Sequence, residues 1–259
     1  MTGWRLRSAR AAAEVALLAH AVGLGDPGAK TGDGRRAAPH TGGMTDSRGA
    51  PAKPLLRGRL HQVAFVASVP AGLALVLAAR TGPARLAAAV YALSLAGLYG
   101  TSAAFHLGRW SDAVHRRMDQ ADHAMIYVLI AGSWTPFAVL ALGGPWGLTV
   151  LVGVWAAAIG GIVVVILWHR IRIVGITLYL TLGWLGLVTL PWLAGRLGIA
   201  KLTLLVAGGI FYTVGAVVLG RQRPDPNPKV FGYHEVWHAF TIAAGACHYA
   251  LVWLLVSVA

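Results

Sequence analysis

Acidic residues and cysteine are what this chain has least of. Nine Asp and Glu stand against 22 Lys and Arg, and beyond His61 only Asp112, Asp119, Asp122, Asp225 and Glu235 carry negative charge. The single cysteine, Cys247, excludes an intramolecular disulfide and any Cys-x-x-Cys metal site, so a bound metal must use histidine and carboxylate. Charged residues of both signs make up only 12% of the 259 residues and hydrophobic ones 57%. Together with a mean hydropathy of +0.64, that excludes an ordinary water-soluble domain. A net charge of +13 raises nucleic acid as a partner, but no compact basic domain with interleaved aromatics is present. Anionic lipid headgroups fit the excess better.

Ten of the 22 basic residues lie in the first 60 positions, in a stretch rich in Ala, Gly, Arg and Pro that sustains no apolar face. Residues 1–59 are expected to form a disordered basic cytoplasmic arm. A signal-peptide reading of Ala11–Gly25 is weakened by Glu14 and His20, and Met44 offers an alternative start that would make the arm dispensable.

From about residue 60 to residue 259 the chain is a series of apolar runs of about 20 residues, each long enough to cross a bilayer as a helix. The expected spans are His61–Ala79, Ala84–Leu107, Asp122–Leu142, Trp146–Trp168, Ile173–Leu193, Lys201–Leu219 and His234–Val258. Breaking signals separate them at Thr81-Gly82-Pro83, Gly143-Gly144-Pro145, Gly195 and Pro224-Asp225-Pro226-Asn227-Pro228. The fold class is therefore all-α: a polytopic membrane protein with a seven-transmembrane helix bundle. Arg109, Arg116, Arg117, Arg170, Arg172, Arg221, Arg223 and Lys229 load the loops on one side, against Arg80, Arg85, Arg196 and Lys201 on the other. The positive-inside rule then puts the N-terminus in the cytoplasm and Ala259 outside, in a multi-pass cell-membrane protein.

That topology brings three helix ends to one depth. The second span ends at His106, the third starts at Asp122 and the last starts at His234. His234 and His238 are four residues apart, about 40° around a helix and one turn along it, so both rings can reach one ion. Ser102 has the same relation to His106. Each residue also has a plainer reading: an interfacial histidine as a headgroup contact, a serine bonded to its own helix, Asp122 as a cap. Asp112, His115 and Asp119 fall in what reads as a solvated loop. His61 and His169 read as interfacial, His123 as a neighbour of the site at most, and His248, about 15 Å beyond His238, as too deep to join it. Ionisable groups in spans are costly and mark function, which favours a metal centre. Zinc on three imidazoles keeps a position for water, with a carboxylate to take its proton and a serine hydroxyl to steady an oxyanion. As a bare pattern, His234-Glu-Val-Trp-His238 also matches the zinc helix of metalloproteases, with Glu235 as base.

Ser102-Ala-Ala-Phe-His106, Asp122-His-Ala-Met-Ile-Tyr-Val-Leu-Ile-Ala-Gly-Ser-Trp-Thr-Pro136 and His234-Glu-Val-Trp-His238 occur in order after Pro54-Leu-Leu-Arg-Gly-Arg-Leu-His61. This set resembles the bacterial hemolysin III proteins, relatives of the progestin and adipoQ receptors within the alkaline ceramidase-like superfamily. The resemblance covers about Pro54 to Ala259. It implies a seven-helix bundle with zinc near the cytoplasmic face, His106, His234 and His238 as ligands, and Asp122 and Ser102 as catalytic residues beside them. It points to cleavage of a membrane lipid amide or ester, while the family name points to a cytolysin or pore. The polar motif that precedes the first span of the eukaryotic receptors is missing here, so a receptor role without catalysis is not carried over.

Overall fold

The computed structural model describes residues 53–168, 172–184 and 188–259, with the side chains of 168 and 172–175 left aside. Residues 1–52 of the expected arm, Met44 among them, and His169 and Arg170 lie outside the described residues, whereas the end of that stretch is ordered, with Leu55 N and Leu56 N donating to Lys229 O and Val230 O. Among the described residues, seven α-helices follow one another: α1 Arg59–Ala78, α2 Gly82–Leu107, α3 Asp112–Pro136, α4 Gly144–Trp168, α5 Arg172–Trp184, α6 Leu190–Arg221 and α7 Tyr233–Val256. No strand occurs among the described residues, only an isolated bridge between Asn227 and Phe231. Six of these helices are long and apolar enough to cross a membrane. The exception is α5, whose 13 residues span only about 20 Å.

Local chemistry sets most helix ends. The Thr81 hydroxyl accepts from Ala84 N at 3.4 Å and Pro83 opens the first turn of α2, where its missing N–H costs nothing. At the end of α3, Pro136 removes a backbone donor and the helix widens into a π-helical stretch, Phe137–Leu142. Gly143 and Gly144, with φ of 63° and 57°, then stop it. Arg196 donates to the carbonyls of Ala141 and Leu142, which that stop leaves without helical partners.

Three expectations need correction. The third helix starts at Asp112, ten residues before Asp122, so Asp112, His115 and Asp119 are helical rather than part of a loop. Ser111 holds the N-cap position, and Asp122 lies well inside the helix, which removes its reading as a cap. The break in the sixth segment falls at Gly198, with φ 69°, and not at Gly195, which stays helical inside the run from Leu190.

The apolar surface faces outward as well as inward. Leu77 is 72% exposed and Leu93 73%, and α1, α4 and α6 present many such side chains. A face of this kind needs a lipid solvent, and helices satisfy most of the backbone groups that it carries. Inside, Tyr91, Tyr127, Phe137, Leu75 and Leu251 form the core. Packing is most extensive between α1 and α2, α2 and α3, and α6 and α7, while α7 also touches α1, α2 and α3. Close approach depends on small residues: a Cβ at Gly132 of α3 would lie 2.1 Å from Ser94 Oγ of α2. The last turns of α2, the middle of α3 and the first turns of α7 are thereby held together.

Candidate metal centre

His106 is the next-to-last residue of α2, and His234 and His238 face it from the first turns of α7. One ring nitrogen from each lies within 4.8 Å of the others. The Nε2 atoms of His106 and His234 are 3.1 Å apart. The three ring centroids are separated by 4.6 to 5.3 Å, with the His106 and His234 planes at 83°. These three are the residues that the sequence brought forward as ligands.

Asp122 joins them from α3, its Oδ2 3.7 Å from His106 Nε2. Ser102, one turn before His106 and 2% exposed, lies beside the Asp122 carboxylate. Ser102 thus faces the site. All five residues line one cavity of about 450 Å³. Its remaining walls are mainly apolar, with Leu98, Ile130, Val165, Leu180, Leu205 and Trp237 among them. The site is the polar end of an apolar chamber.

The donor set fits a single ion. Tetrahedral zinc with bonds of about 2.0–2.1 Å to nitrogen separates its ligand atoms by about 3.3 Å, close to the 3.1 Å between His106 and His234. His238 is 2% exposed and its Nδ1 has no hydrogen-bond partner among the described residues. A buried imidazole left short of a partner is what a metal site built from neutral histidines presents.

Other candidates fall outside the cluster. His123 Nδ1 donates to the Asp119 carbonyl at 2.8 Å and the ring is 48% exposed, so it stays on its own helix. His248 Nε2 donates to Leu205 O at 3.4 Å, ten residues along α7 from His238, and is not part of the triad. Glu235 is fully buried, but its carboxylate is taken up elsewhere: Arg57 Nε donates to Oε1 and Gly232 N to Oε2 at 2.8 Å. Glu235 does not line the cavity.

His61 corrects the sequence reading most. Expected at a water interface, it is 2% exposed and stacks face to face on His238, centroids 3.8 Å apart and planes 9° from parallel. Arg57, in the stretch expected to be a disordered arm, instead pairs with buried Glu235. Both contacts join residues about 180 positions apart, and no periodicity in the chain reports them.

Fold and site together define a multi-pass helical membrane protein that carries a histidine triad with room for one metal ion. The family model described as haemolysin-III related matches residues 50–249. The chain belongs to that family. It is 36% identical over 190 residues to Hemolysin-3 of Bacillus cereus, covering 72% of this chain and 84% of that protein. Identity to the Hemolysin-3 homolog of Bacillus subtilis (strain 168) is 32% over 200 residues, 74% of this chain and 89% of the relative. The chain is also 28% identical over 174 residues to the human monocyte to macrophage differentiation factor, covering 65% and 70% of the two proteins. That relative extends the similarity to the progestin and adipoQ receptor side.

Proposed function

We propose that the protein is a zinc-dependent hydrolase of a lipid amide or ester, with its site at the cytoplasmic face of a seven-span bundle. The observation that carries this reading is the meeting of three imidazoles, a carboxylate and a hydroxyl at one end of an apolar chamber. Zinc on three neutral imidazoles supplies a Lewis acid and lowers the pKa of water to about 7. His106, His234 and His238 hold it. Asp122, beside His106, accepts a proton from the attacking water and returns it to the leaving group. Ser102 holds the Asp122 carboxylate in place and is close enough to share its hydroxyl with a developing oxyanion. The apolar walls seat an acyl chain and keep bulk water from the reacting carbonyl. With Glu235 occupied by Arg57 and Gly232, the protease reading has no base to offer.

Topology completes the reading. The continuous apolar sequence Ile173–Leu193 supports a seventh crossing, and the excess of arginine at one end supports a cytoplasmic N-terminus and an external C-terminus. Exposed Arg109, Arg116, Arg117, Arg221 and Arg223 would then meet anionic headgroups of the inner leaflet, from which a lipid substrate enters. A cysteine at position 259, in a Cys247→Ser background, should react with an impermeant maleimide on intact cells, and one at position 229 should not.

Zinc analysis of the detergent-purified protein, paired with lipid turnover, tests the chemistry. The wild type should carry about one zinc, and His106→Ala, His234→Ala and His238→Ala should lose it. Asp122→Asn should keep the metal and lose at least about 10²-fold in turnover. Equal zinc in wild type and His238→Ala would remove the site.

A second reading, membrane lysis, is favoured by the name of the Bacillus cereus relative, Hemolysin-3. Dye release from liposomes that persists in His106→Ala would favour it over hydrolysis.

A further inference from the structure

Within five residues, the lead-in to α1 meets both metal-bearing helices. Arg57 pairs with Glu235, between His234 and His238 on α7. Gly58 turns with φ 80° and passes so close to α2 that a Cβ there would lie 2.7 Å from His106 Cβ. His61 then stacks on His238.

The hydrogen bonds around His61 define its tautomer. The Thr241 hydroxyl donates its only proton to the His238 carbonyl at 2.8 Å. It can only accept from His61, whose Nε2, at 3.0 Å, must therefore carry the ring proton. The Tyr99 ring, 5.1 Å away and tilted by 51°, supports His61 from another direction. One residue of α7, Thr241, thus anchors both the His61 ring and the carbonyl of the His238 turn. The His61 face restricts rotation of the His238 ring, as outer partners of metal-ligating histidines do.

We propose that His61 is a positioning residue for the metal centre: it holds the His238 imidazole in its ligating orientation through face-to-face stacking and the shared Thr241 hydroxyl. This rests on the metal-site reading above. Its role is separate from ligation, because the cluster that can reach one ion comprises His106, His234 and His238 alone among the described residues.

Cobalt(II) titration of the detergent-solubilised full-length chain tests the inference, read by the visible absorption of the bound ion and by its Kd. Wild type should bind one ion with a tetrahedral spectrum, and His106→Ala should abolish that spectrum. His61→Ala should raise Kd about 10- to 100-fold and alter the absorption bands, with one ion still bound at saturation. His61→Phe, which keeps an aromatic face, should recover most of the affinity, and it serves as the principal comparison if the alanine variant does not fold. Thr241→Val, which keeps the side-chain volume but removes the hydroxyl, should shift Kd in the same direction as His61→Ala. If wild type and His106→Ala take up cobalt alike, the metal-site reading fails and the positioning role with it. If only His106→Ala loses the ion, while His61→Ala and Thr241→Val match wild type in Kd and spectrum, the metal site stands and the role of His61 is overturned. A His61→Phe protein as weak as His61→Ala would equally remove the stacking contribution.

Discussion

Removing the guanidinium of Arg57 should be among the most damaging single changes outside the metal ligands. Glu235 has no exposed surface, and its carboxylate is met by Arg57 Nε and by the N–H of Gly232 at 2.8 Å. Arg57→Ala leaves the buried Glu235 charge with one backbone donor. Breaking a buried pair in this way costs about 3–5 kcal/mol. The Arg57 side chain is 19% exposed, so some solvent reaches the pair and the lower end, about 3 kcal/mol, applies. Glu235→Gln is gentler, because the amide oxygen still accepts from Gly232 and the released arginine can extend toward water or headgroups; about 1.5 kcal/mol is expected. The double variant should be more stable than Arg57→Ala alone, since it no longer buries an unpaired charge. Cys247, the one thiol in the chain and half-buried on α7, supplies the assay: its alkylation by a fluorogenic maleimide during heating in detergent reports unfolding. At about 2–4 °C per kcal/mol for a chain of this size, Arg57→Ala should lower the midpoint by about 6–12 °C at a fixed scan rate. A shift under about 2 °C, or a double variant that falls by the sum of the single losses, would refute the reasoning.

Three further outcomes follow from the same geometry. Gly58→Ala should lower the unfolding midpoint and raise the cobalt Kd together, because the left-handed turn strains a side chain and the added methyl meets His106; loss of stability with unchanged Kd would separate the turn from the site. Chelation should lower the midpoint of zinc-loaded wild type but not of His238→Ala, since free metal at about 100 times its Kd adds about 2.7 kcal/mol; an equal shift in both would place the metal elsewhere. Ser102→Ala should keep its zinc and lose about 10²-fold in lipid turnover, measured by mass spectrometry of the products; full activity would leave the serine a structural role alone.

Much of the bundle was legible without coordinates because helix formation and lipid burial are local properties. A run of apolar residues of membrane length, a Thr-Gly-Pro or Gly-Gly-Pro break and the spacing of His234 and His238 each depend on neighbours within a few turns. The same locality explains the errors. Asp112 to Gln120 is polar and reads as a loop, yet it forms the first turns of α3, with His115 packed against Phe105 and the Gln120 side chain bonded to Ile166 O. Gly195 and Gly198 are equivalent by composition, and only the backbone reveals which of them leaves the helix.

By itself the sequence determined the lipid environment, most of the helix ends and the residue types able to hold a metal, because hydropathy, capping and ligand chemistry belong to individual residues and short runs. Tertiary structure alone decided which of those residues meet. It set Ser102 beside Asp122, withdrew Glu235 by pairing it with Arg57, and laid His61 against His238. Such contacts depend on how α1, α2, α3 and α7 pack against one another, and pairs about 180 residues apart leave no trace in the order of amino acids.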